Sequence, residues 1–362
     1  MRASGVLLPV FSLPSPHGIG CFSKEAYEWV DFLKLAGQQY WQILPLGPTS
    51  YGDSPYQSFS TYAGNPYFID LEELVEAGFL TRKEVEACDC GKAARDIDYG
   101  KLYENRMPLL KLAYERSLEK PDPKFTAFWT ENAWWLDDYG LFMAVKDIFG
   151  GNSWDQWAED IRYRWDNAMW YYKTNYSKEI GFYVWLQYLF FTQWQKLKKY
   201  ANDKGLKIIG DIPIYVAYDS ADVWAHQKLF RLDSKGFPTC AHPEMFQLDQ
   251  ERKPAAVAGC PPDGFSADGQ LWGNPLYRWD HHRNTGYDWW VTRISWCFRL
   301  YDVVRIDHFR GFDEYFSIPA KDKTAVNGHW EKGPGIELFQ VIKARLGEKP
   351  IIAEDLGYVT DT

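Results

Sequence analysis

Carboxylates stand at the ends of three short apolar segments of this 362-residue sequence. Asp211 ends the first segment, Asp307 ends the second, and Glu354 with Asp355 ends the third. Each of these segments has the length and the apolar character of a buried strand. In parallel sheets the active site lies at the carboxyl ends of the strands. We therefore expect these acids at one edge of a sheet, where they could act on the same ligand.

Asp307 and Glu354 have neighbours that favour different protonation states. Asp307 is flanked by Arg305, His308 and Arg310, and nearby positive charge lowers the pKa of a carboxyl group. Asp307 should therefore be ionised, as a nucleophile must be. Partial burial among acidic neighbours favours the protonated form of Glu354, which suits a general acid. One ionised and one protonated carboxyl group is the pair that cleaves a glycosidic bond. The alternative, for either acid taken alone, is an exposed strand-end residue without a catalytic role.

Five segments have the pattern of strands in a parallel sheet, and helices are predicted between them. A helix should begin after Ser23, a typical N-cap residue, and end before Gly37; another is predicted over 336–346. Strand–helix–strand units favour a parallel α/β sheet and a (β/α)₈ barrel. A closed barrel needs eight strands, so we expect only the first five barrel strands here. The predicted strands cover residues 5–10, 39–46, 206–211, 302–307 and 350–354.

The stretch from 71 to 205 interrupts this alternation and contains no convincing strand pattern. We therefore predict that residues 71–205 form a mainly helical insertion in the loop after the second strand. The sequence then divides into a barrel start over 1–70, the insertion over 71–205, and a barrel continuation over 206–362 that carries a long loop over 250–280. The helices predicted in the insertion cover residues 71–77, 82–88, 101–117, 132–149 and 178–200.

Composition narrows the possible partners. Aromatic residues make up 18% of the chain and include 18 Trp, which fits a site that stacks on sugar rings as well as a well-packed core. The formal net charge of −9 argues against a nucleic-acid partner and against anionic membrane surfaces. Met1–Phe11 lacks the features of a signal peptide and no apolar run is long enough to span a bilayer. Six cysteines in a chain of this length indicate reduced thiols, and we expect a cytoplasmic protein.

Cofactor chemistry has little support in the sequence. No Gly-x-Gly-x-x-Gly pattern follows a predicted strand, which disfavours a nicotinamide enzyme. Cys88 and Cys90 are too close together and too isolated for a zinc site, and the adjacent His281 and His282 lack ligand spacing. We therefore predict no metal and no cofactor.

Long motifs in the sequence resemble signature segments of one enzyme family. These segments are SPYQSFSTYAGNP (54–66), GDIPIYVA (210–217), the stretch 257–279 containing GQLWGNPLYRW, VRIDHFRGF (304–312) and IIAEDLG (351–357). They are similar to segments of the 4-α-glucanotransferases of glycoside hydrolase family 77, the amylomaltases or disproportionating enzymes. The resemblance extends over nearly the whole chain, from GVLLPVFSLPSPHGIG at its start. It implies transfer of α-1,4-glucan segments between malto-oligosaccharides by a retaining double displacement.

The resemblance also implies roles at the reacting centre. Asp307 corresponds to the family nucleophile, which forms a covalent glycosyl-enzyme intermediate, and Glu354 corresponds to the general acid/base. Arg305 and His308 correspond to residues that hold the nucleophile and the sugar in the reacting subsite. Asp211 corresponds to a strand-end acid that contacts the same subsite.

Further implied roles concern the sugars on either side of the scissile bond. Tyr56 corresponds to an aromatic residue that stacks on the reacting sugar. Trp272 and Asn274 correspond to a loop that arches over the acceptor side. This loop, over 257–279, is rich in Gly, Pro and rings, and we expect it to act as a lid that positions the acceptor and excludes water.

The family pattern includes a third catalytic Asp that follows a His on a later barrel strand. The sequence ends at Thr362 without such a segment, so the chain is expected to be a C-terminally truncated member. An open five-strand barrel would expose an apolar edge. We therefore expect this chain by itself to be poorly stable and nearly inactive.

Two other functions remain compatible with parts of the sequence. A retaining amylase-type α-glucan hydrolase could share the RIDHF and AED segments, and a non-catalytic glycan-binding protein could share the aromatic rings. The aromatic loop and the helical insertion favour the transferase over the hydrolase. Asp307 and Glu354 together favour an enzyme over a binding protein.

Overall fold

Nine strands form two sheets in the part of the chain that this computed structural model describes, which is residues 2–50, 52–91, 96–232, 256–264 and 266–354. A five-stranded parallel sheet has the order β1-β2-β3-β6-β9, and a four-stranded antiparallel sheet has the order β5-β4-β7-β8. In chain order the strands are β1 (Gly5–Leu7), β2 (Tyr40–Gln42), β3 (Lys207–Pro213), β4 (Ala256–Cys260), β5 (Gln270–Pro275), β6 (Val303–Asp307), β7 (Glu314–Pro319), β8 (His329–Lys332) and β9 (Ile351–Ala353).

The five predicted strands are confirmed as the five strands of the parallel sheet, although β1 and β2 are shorter than expected. β1 ends at Leu7 because Pro9 cannot continue the ladder, and a 3₁₀ turn follows over Val10–Ser12. The inner strands have one strongly apolar face, on which Ile208, Val304 and Ile306 are fully buried. Such strands are typical of parallel sheets that are covered by helices. β3 and β6 lie next to each other in the sheet, so their carboxyl ends come together.

Gly210 permits close packing in the middle of β3. The ring of Tyr301 lies over its Cα, and a Cβ at this position would stand 2.1 Å from Tyr301 Cγ. Tyr301 is itself 3% exposed, so the ring has little room to move. Because Asp211 is the next residue, this packing also fixes the backbone that carries a predicted site residue.

Replacing Gly210 by Ala is therefore expected to destabilise the protein by about 1–3 kcal/mol, as overpacked cores do. The free energy of unfolding from urea titration measures this effect. Gly264→Ala is the matched control, because a Cβ at Gly264 would meet no atom within 4 Å and its φ is not positive. An equal stability of the two variants would contradict the packing argument.

The second sheet lies in a region that the sequence predicts to be a loop. Of residues 250–280, the described part contains β4 and β5, which pair antiparallel, and β4 also pairs with β7. The loop prediction is therefore wrong for 256–260 and 270–275, while residues 250–255 and 265 lie outside the described residues. The Gly and Pro content that suggested a loop belongs mainly to the turn between β4 and β5 and to the small residues of β4.

Helices occupy the connections between the parallel strands. The helices of the described residues are α1 (Lys24–Leu35), α2 (Leu71–Glu76), α3 (Arg82–Ala87), α4 (Tyr99–Lys101), α5 (Met107–Ser117), α6 (Pro123–Ile148), α7 (Glu159–Arg162), α8 (Asp166–Asn175), α9 (Ser177–Asp203), α10 (Ala221–Ala225), α11 (Trp279–Asn284), α12 (Asp288–Leu300) and α13 (Ile336–Leu346).

The predicted helices are confirmed, and several others were missed. α1 follows Ser23 and ends just before Gly37, which has a φ of 71°, although the Ser23 hydroxyl bonds to Glu25 and not to the helix backbone. α13 has the predicted limits. The missed helices include α8 and α12, whose dense Trp and Tyr residues obscure the helical period of the apolar positions.

The regular elements that the structure describes between β2 and β3 are all helical, and the two longest, α6 and α9, pack against each other. α9 also contacts α1 and leads directly into β3: the Tyr200 hydroxyl donates to Asp31 at 2.9 Å, and the rings of Tyr27 and Tyr200 meet edge to face. The last of these helices therefore covers the parallel sheet as well. Most of the buried aromatic residues belong to one large core that extends from the sheet into these helices.

The two outer strands of the parallel sheet, β1 and β9, each pair on one side only within the described residues. Leu7 of β1 is 53% exposed and Ile352 of β9 is 43% exposed. The sheet thus presents apolar side chains at both of its outer strands.

Within the described residues, each helix is either too short or too polar to traverse a lipid bilayer. The predicted cytoplasmic location stays a prediction.

Candidate active site

The register of the parallel sheet gathers the predicted acids at its carboxyl edge. Asp211 of β3 pairs with Arg305 of β6, and Pro213 pairs with Asp307. Side chains two residues apart on a strand point to the same face. Asp211, Arg305 and Asp307 therefore share one face, at the sheet edge where the sequence predicted the acids.

Arg305 connects the two aspartates. Its Nη1 donates to both carboxylate oxygens of Asp211 at 2.8 Å, and its Nη2 lies 2.9 Å from Oδ1 of Asp307. Asp211 is 1% exposed and also accepts a hydrogen bond from the Tyr56 hydroxyl at 2.8 Å. This network fixes the guanidinium, which in turn orients the carboxylate of Asp307.

Glu354 follows β9 and is held beside Asp307 by the backbone at the carboxyl end of β6. β9 follows β6 in the sheet with Ile306 opposite Ala353. The backbone N–H of Glu354 donates to the Ile306 carbonyl at 3.1 Å, and its carbonyl accepts from Phe309 N–H at 3.0 Å. Its side-chain Oε2 accepts from the N–H of His308 at 2.8 Å. The neighbouring residue Asp355 lies outside the described residues.

The two side-chain oxygens of Glu354 differ. Oε2 is occupied by His308 N–H, whereas the buried Oε1 has no hydrogen-bond partner among the described residues. A buried carboxyl oxygen without a partner is costly unless a ligand satisfies it. Oε1 is therefore the side-chain oxygen of Glu354 whose hydrogen-bonding capacity is not yet used within the described residues.

His308 turns the chain at the end of β6. Its backbone is left-handed, with φ 54° and ψ 47°, a conformation that costs a non-glycine residue about 1–3 kcal/mol and clusters at functional sites. The indole of Trp272 meets its imidazole edge to face, with ring centroids 4.9 Å apart. The ring of Tyr215 lies near both, at 6.2 Å from Trp272 and 6.5 Å from His308. Aromatic faces thus line the site beside the carboxylates.

Asn274, unlike the other predicted site residues, is bonded through its side chain to neighbouring loops rather than to the carboxylate network. It is 5% exposed, its Nδ2 donates to the Val216 carbonyl at 2.7 Å, and its Oδ1 accepts from Gln57 Nε2 at 3.1 Å. Asn274 therefore joins β5 to the segment after β3 and to the loop that carries Tyr56. A direct contact between Asn274 and a sugar stays a prediction.

Three residues of this site were missed or misplaced by the sequence reasoning. Tyr215 and Gln57 lie inside the quoted segments GDIPIYVA and SPYQSFS, but nothing in their spacing distinguishes them from packing residues. Arg310 was expected beside Asp307. It points instead to Glu314, at 3.7 Å, and its guanidinium covers the ring of Trp330, with 4.0 Å to the centroid.

The pKa of Asp307 differs from the expectation. Burial raises the pKa of this carboxyl above its ordinary value, Arg305 lowers it, and the charge of Glu354 raises it again; the net direction is upward. The expectation of a lowered pKa for Asp307 is therefore wrong, because burial outweighs the charge of Arg305. Burial also raises the pKa of Asp211, against the hydrogen bonds from Tyr56 and Arg305.

The opposing effects of burial and Arg305 on the pKa of Asp307 determine where the acid limb of the pH–activity profile lies. If ionised Asp307 is required, activity falls as the pH drops through its pKa, and Arg305 is the cation that lowers this pKa. Arg305→Met should therefore shift the acid limb of kcat/KM to higher pH, because that limb reports the free enzyme. Arg299→Met, at an exposed arginine paired with Glu131, is the control and should leave the limb unchanged. An unshifted limb in Arg305→Met would contradict this electrostatic role.

A parallel sheet with carboxylates, an arginine and aromatic rings at the carboxyl ends of its strands defines a barrel-type enzyme that acts on carbohydrates. A family model for 4-alpha-glucanotransferase, glycoside hydrolase family 77, matches residues 8–362, and the chain belongs to this family.

Curated relatives and a solved structure agree with this assignment. The chain is 49% identical to a 4-alpha-glucanotransferase from Clostridium butyricum over 97% of its own length and 69% of the relative's. It is 48% identical to a 4-alpha-glucanotransferase from Thermus thermophilus, with 99% and 68% covered. The structure of the amylomaltase from Streptococcus agalactiae in complex with acarbose superimposes with a TM-score of 0.93 at 44% identity, over all of this chain and 70% of the other.

The predicted family, fold class and activity are thereby confirmed: this is an α/β barrel-type chain of the 4-α-glucanotransferases, which transfer α-1,4-glucan segments with retention of configuration.

Proposed function

We propose that Asp307 is the nucleophile of the transfer reaction. Its Oδ1 is engaged by Arg305, so Oδ2 is the oxygen that attacks the anomeric carbon. In this step the bond from Oδ2 to C1 forms and the bond from C1 to the glycosidic oxygen breaks. The side chain of Asp307 is 35% exposed, which leaves room for this approach.

Glu354 is proposed as the general acid/base. In the first step its Oε1 carries the proton that passes to the departing glycosidic oxygen. In the second step the same oxygen, now ionised, takes the proton of an acceptor hydroxyl as that hydroxyl attacks C1 and releases Asp307. The observation that carries this proposal is the set of three hydrogen bonds between Glu354 and residues 306–309: Glu354 N–H donates to the Ile306 carbonyl, and the N–H groups of His308 and Phe309 donate to Glu354. Neighbouring strands lie about 4.8 Å apart, which suits the separation of about 5–5.5 Å between the carboxyl groups of retaining enzymes.

Arg305, Asp211 and Tyr56 are proposed to hold the reacting subsite. Arg305 orients the nucleophile, and the buried Asp211 fixes Arg305 through two hydrogen bonds. Tyr56 donates to Asp211, so its ring is fixed at the edge of the subsite, where it can stack on the sugar. Pre-organised groups of this kind contribute to catalysis by positioning the reacting atoms.

Trp272 and His308 are proposed to line the sugar subsites on the acceptor side. Their rings lie together next to the carboxylates, and Asn274 supports the strand that carries Trp272. The substrates in this proposal are malto-oligosaccharides and other α-1,4-glucans. Acarbose, bound in the S. agalactiae amylomaltase, is consistent with that class.

We also propose the domain division expected from the sequence. Residues 1–70 and 206–362 would form the barrel part, and 71–205 would form the helical insertion. The helical content between β2 and β3 supports this division, with α9 shared between the insertion and the cover of the sheet.

Product analysis with maltotriose as the sole substrate tests the proposed substrate class. A transferase produces glucose together with maltotetraose and longer chains, because sugar hydroxyls compete successfully with water. We expect this ladder at high enzyme concentration and long incubation. Products limited to glucose and maltose would contradict the proposal and indicate a hydrolase.

A further inference from the structure

A cavity of about 340 Å³ lies away from the candidate active site, between helices α6, α10 and α12. It is lined by Trp134 and Asp138 of α6, Asp222 of α10, and Trp289 and Thr292 of α12. None of the residues described above as part of the active site lines it. The cavity is within the range of volumes that hold small ligands in proteins.

The cavity has aromatic walls. Trp134 is 50% exposed although its ring meets that of Tyr62 edge to face, with centroids 4.9 Å apart. Trp135 and Trp289 also line the cavity and are 4% and 7% exposed. Their indole N–H groups have no acceptor among the described residues, and buried indole N–H groups ordinarily have one. These two N–H groups are buried, so the open face that the cavity offers to a ligand is the ring of Trp134.

The carboxylates around the cavity are already compensated. Asp138 is bonded by Arg164 at 2.6 Å, and Asp288 by Arg345. Asp222 accepts from the backbone N–H of Thr61 at 2.7 Å, and burial raises its pKa to about 6. The cavity therefore offers acceptor oxygens without a strong net negative charge. This combination favours a neutral ligand rich in hydroxyl groups over a cationic one.

We propose that this cavity is a second, non-catalytic site that binds a short neutral α-glucan, with Trp134 stacking on a pyranose ring and the partly exposed carboxylate of Asp138 accepting hydrogen bonds from its hydroxyl groups. Such a site would hold a glucan chain on the enzyme independently of the active site. It rests on observations that do not involve Asp307 or Glu354.

Indole ¹H–¹⁵N spectra of ¹⁵N-Trp-labelled protein test the proposal with maltotriose as the probe. The experiment uses an Asp307→Asn background, and chromatography of the sample checks that no turnover occurs. Individual signals are assigned by single Trp→Phe variants. We expect the signals of Trp134, Trp135 and Trp289 to shift on titration, and Trp272 reports separately on the active site.

Thr292→Phe should fill the cavity and weaken the response of Trp134 at least about tenfold, while the titration of Trp272 is unchanged. Thr174→Phe, on the exposed side of α8, is the matched control and should change neither. If Thr292→Phe disturbs the fold, seen as displacement of all the indole signals, Asp138→Asn is the second variant and should weaken the same response.

Two results would overturn the proposal. One is a titration in which Trp272 shifts while Trp134, Trp135 and Trp289 do not. The other is a response of these three signals to choline chloride but not to maltotriose, which would assign the cavity to a cation.

Discussion

Asp307→Asn is expected to abolish transfer, with a fall in rate of at least about 10⁴-fold, comparable to the loss of other catalytic nucleophiles. The amide cannot form the glycosyl ester, and the neighbouring aspartate Asp211 cannot replace Asp307, because it is buried and engaged by Arg305 and Tyr56. Fluoride release from α-maltosyl fluoride is the suitable assay, since this activated donor keeps slow turnover measurable.

Asp280→Asn is the matched control for this substitution. Asp280 is exposed and weakly paired with Arg278 at 3.5 Å, so its loss should leave the rate within about twofold, as surface changes do. Similar unfolding midpoints for the two variants would show that the loss in Asp307→Asn is chemical. Activity retained in Asp307→Asn would exclude Asp307 as the nucleophile.

Glu354→Gln should separate two substrates that differ in their need for an acid. With maltotriose the rate should fall about 10²–10⁴-fold, the usual contribution of general acid–base catalysis. Fluoride leaves without protonation, so the first step with α-maltosyl fluoride should remain fast. The second step lacks its base. A burst of about one equivalent of fluoride, followed by slow turnover, is therefore expected.

The control for this variant is Glu337→Gln, at an exposed glutamate of α13 that pairs with Arg283. It should behave like the unmodified enzyme with both donors. Equal losses of Glu354→Gln activity with maltotriose and with α-maltosyl fluoride, without a burst, would contradict the acid/base assignment.

The strand-end acids illustrate what the sequence could predict. Each stands after an apolar run, and parallel strands bring their carboxyl ends to one edge. The gathering of Asp211 and Asp307 at one edge of the sheet was therefore predictable from the order of the strands, whereas the contact of Asp211 with Arg305 was not predicted. The family motifs then supplied roles that spacing by itself could not.

Other features depended on tertiary contacts. The pKa of Asp307 was expected to be low because the sequence shows three flanking cations, yet Arg310 turns away to Glu314 and Trp330 and burial outweighs Arg305. The strands β4 and β5 were read as a loop because Gly and Pro suggest turns, and only their pairing with β7 makes them a sheet. The burial of Asn274 follows from that pairing as well.

The most direct test of Asp307 as the nucleophile is peptide mapping of the trapped glycosyl-enzyme intermediate. Glu354→Gln is mixed with α-maltosyl fluoride, quenched in acid during the burst, digested and analysed by mass spectrometry. We expect a maltosyl ester on Asp307, with one adduct per active enzyme. An adduct on another carboxylate such as Asp211, or a full burst without any adduct, would contradict the assignment of Asp307 as the nucleophile.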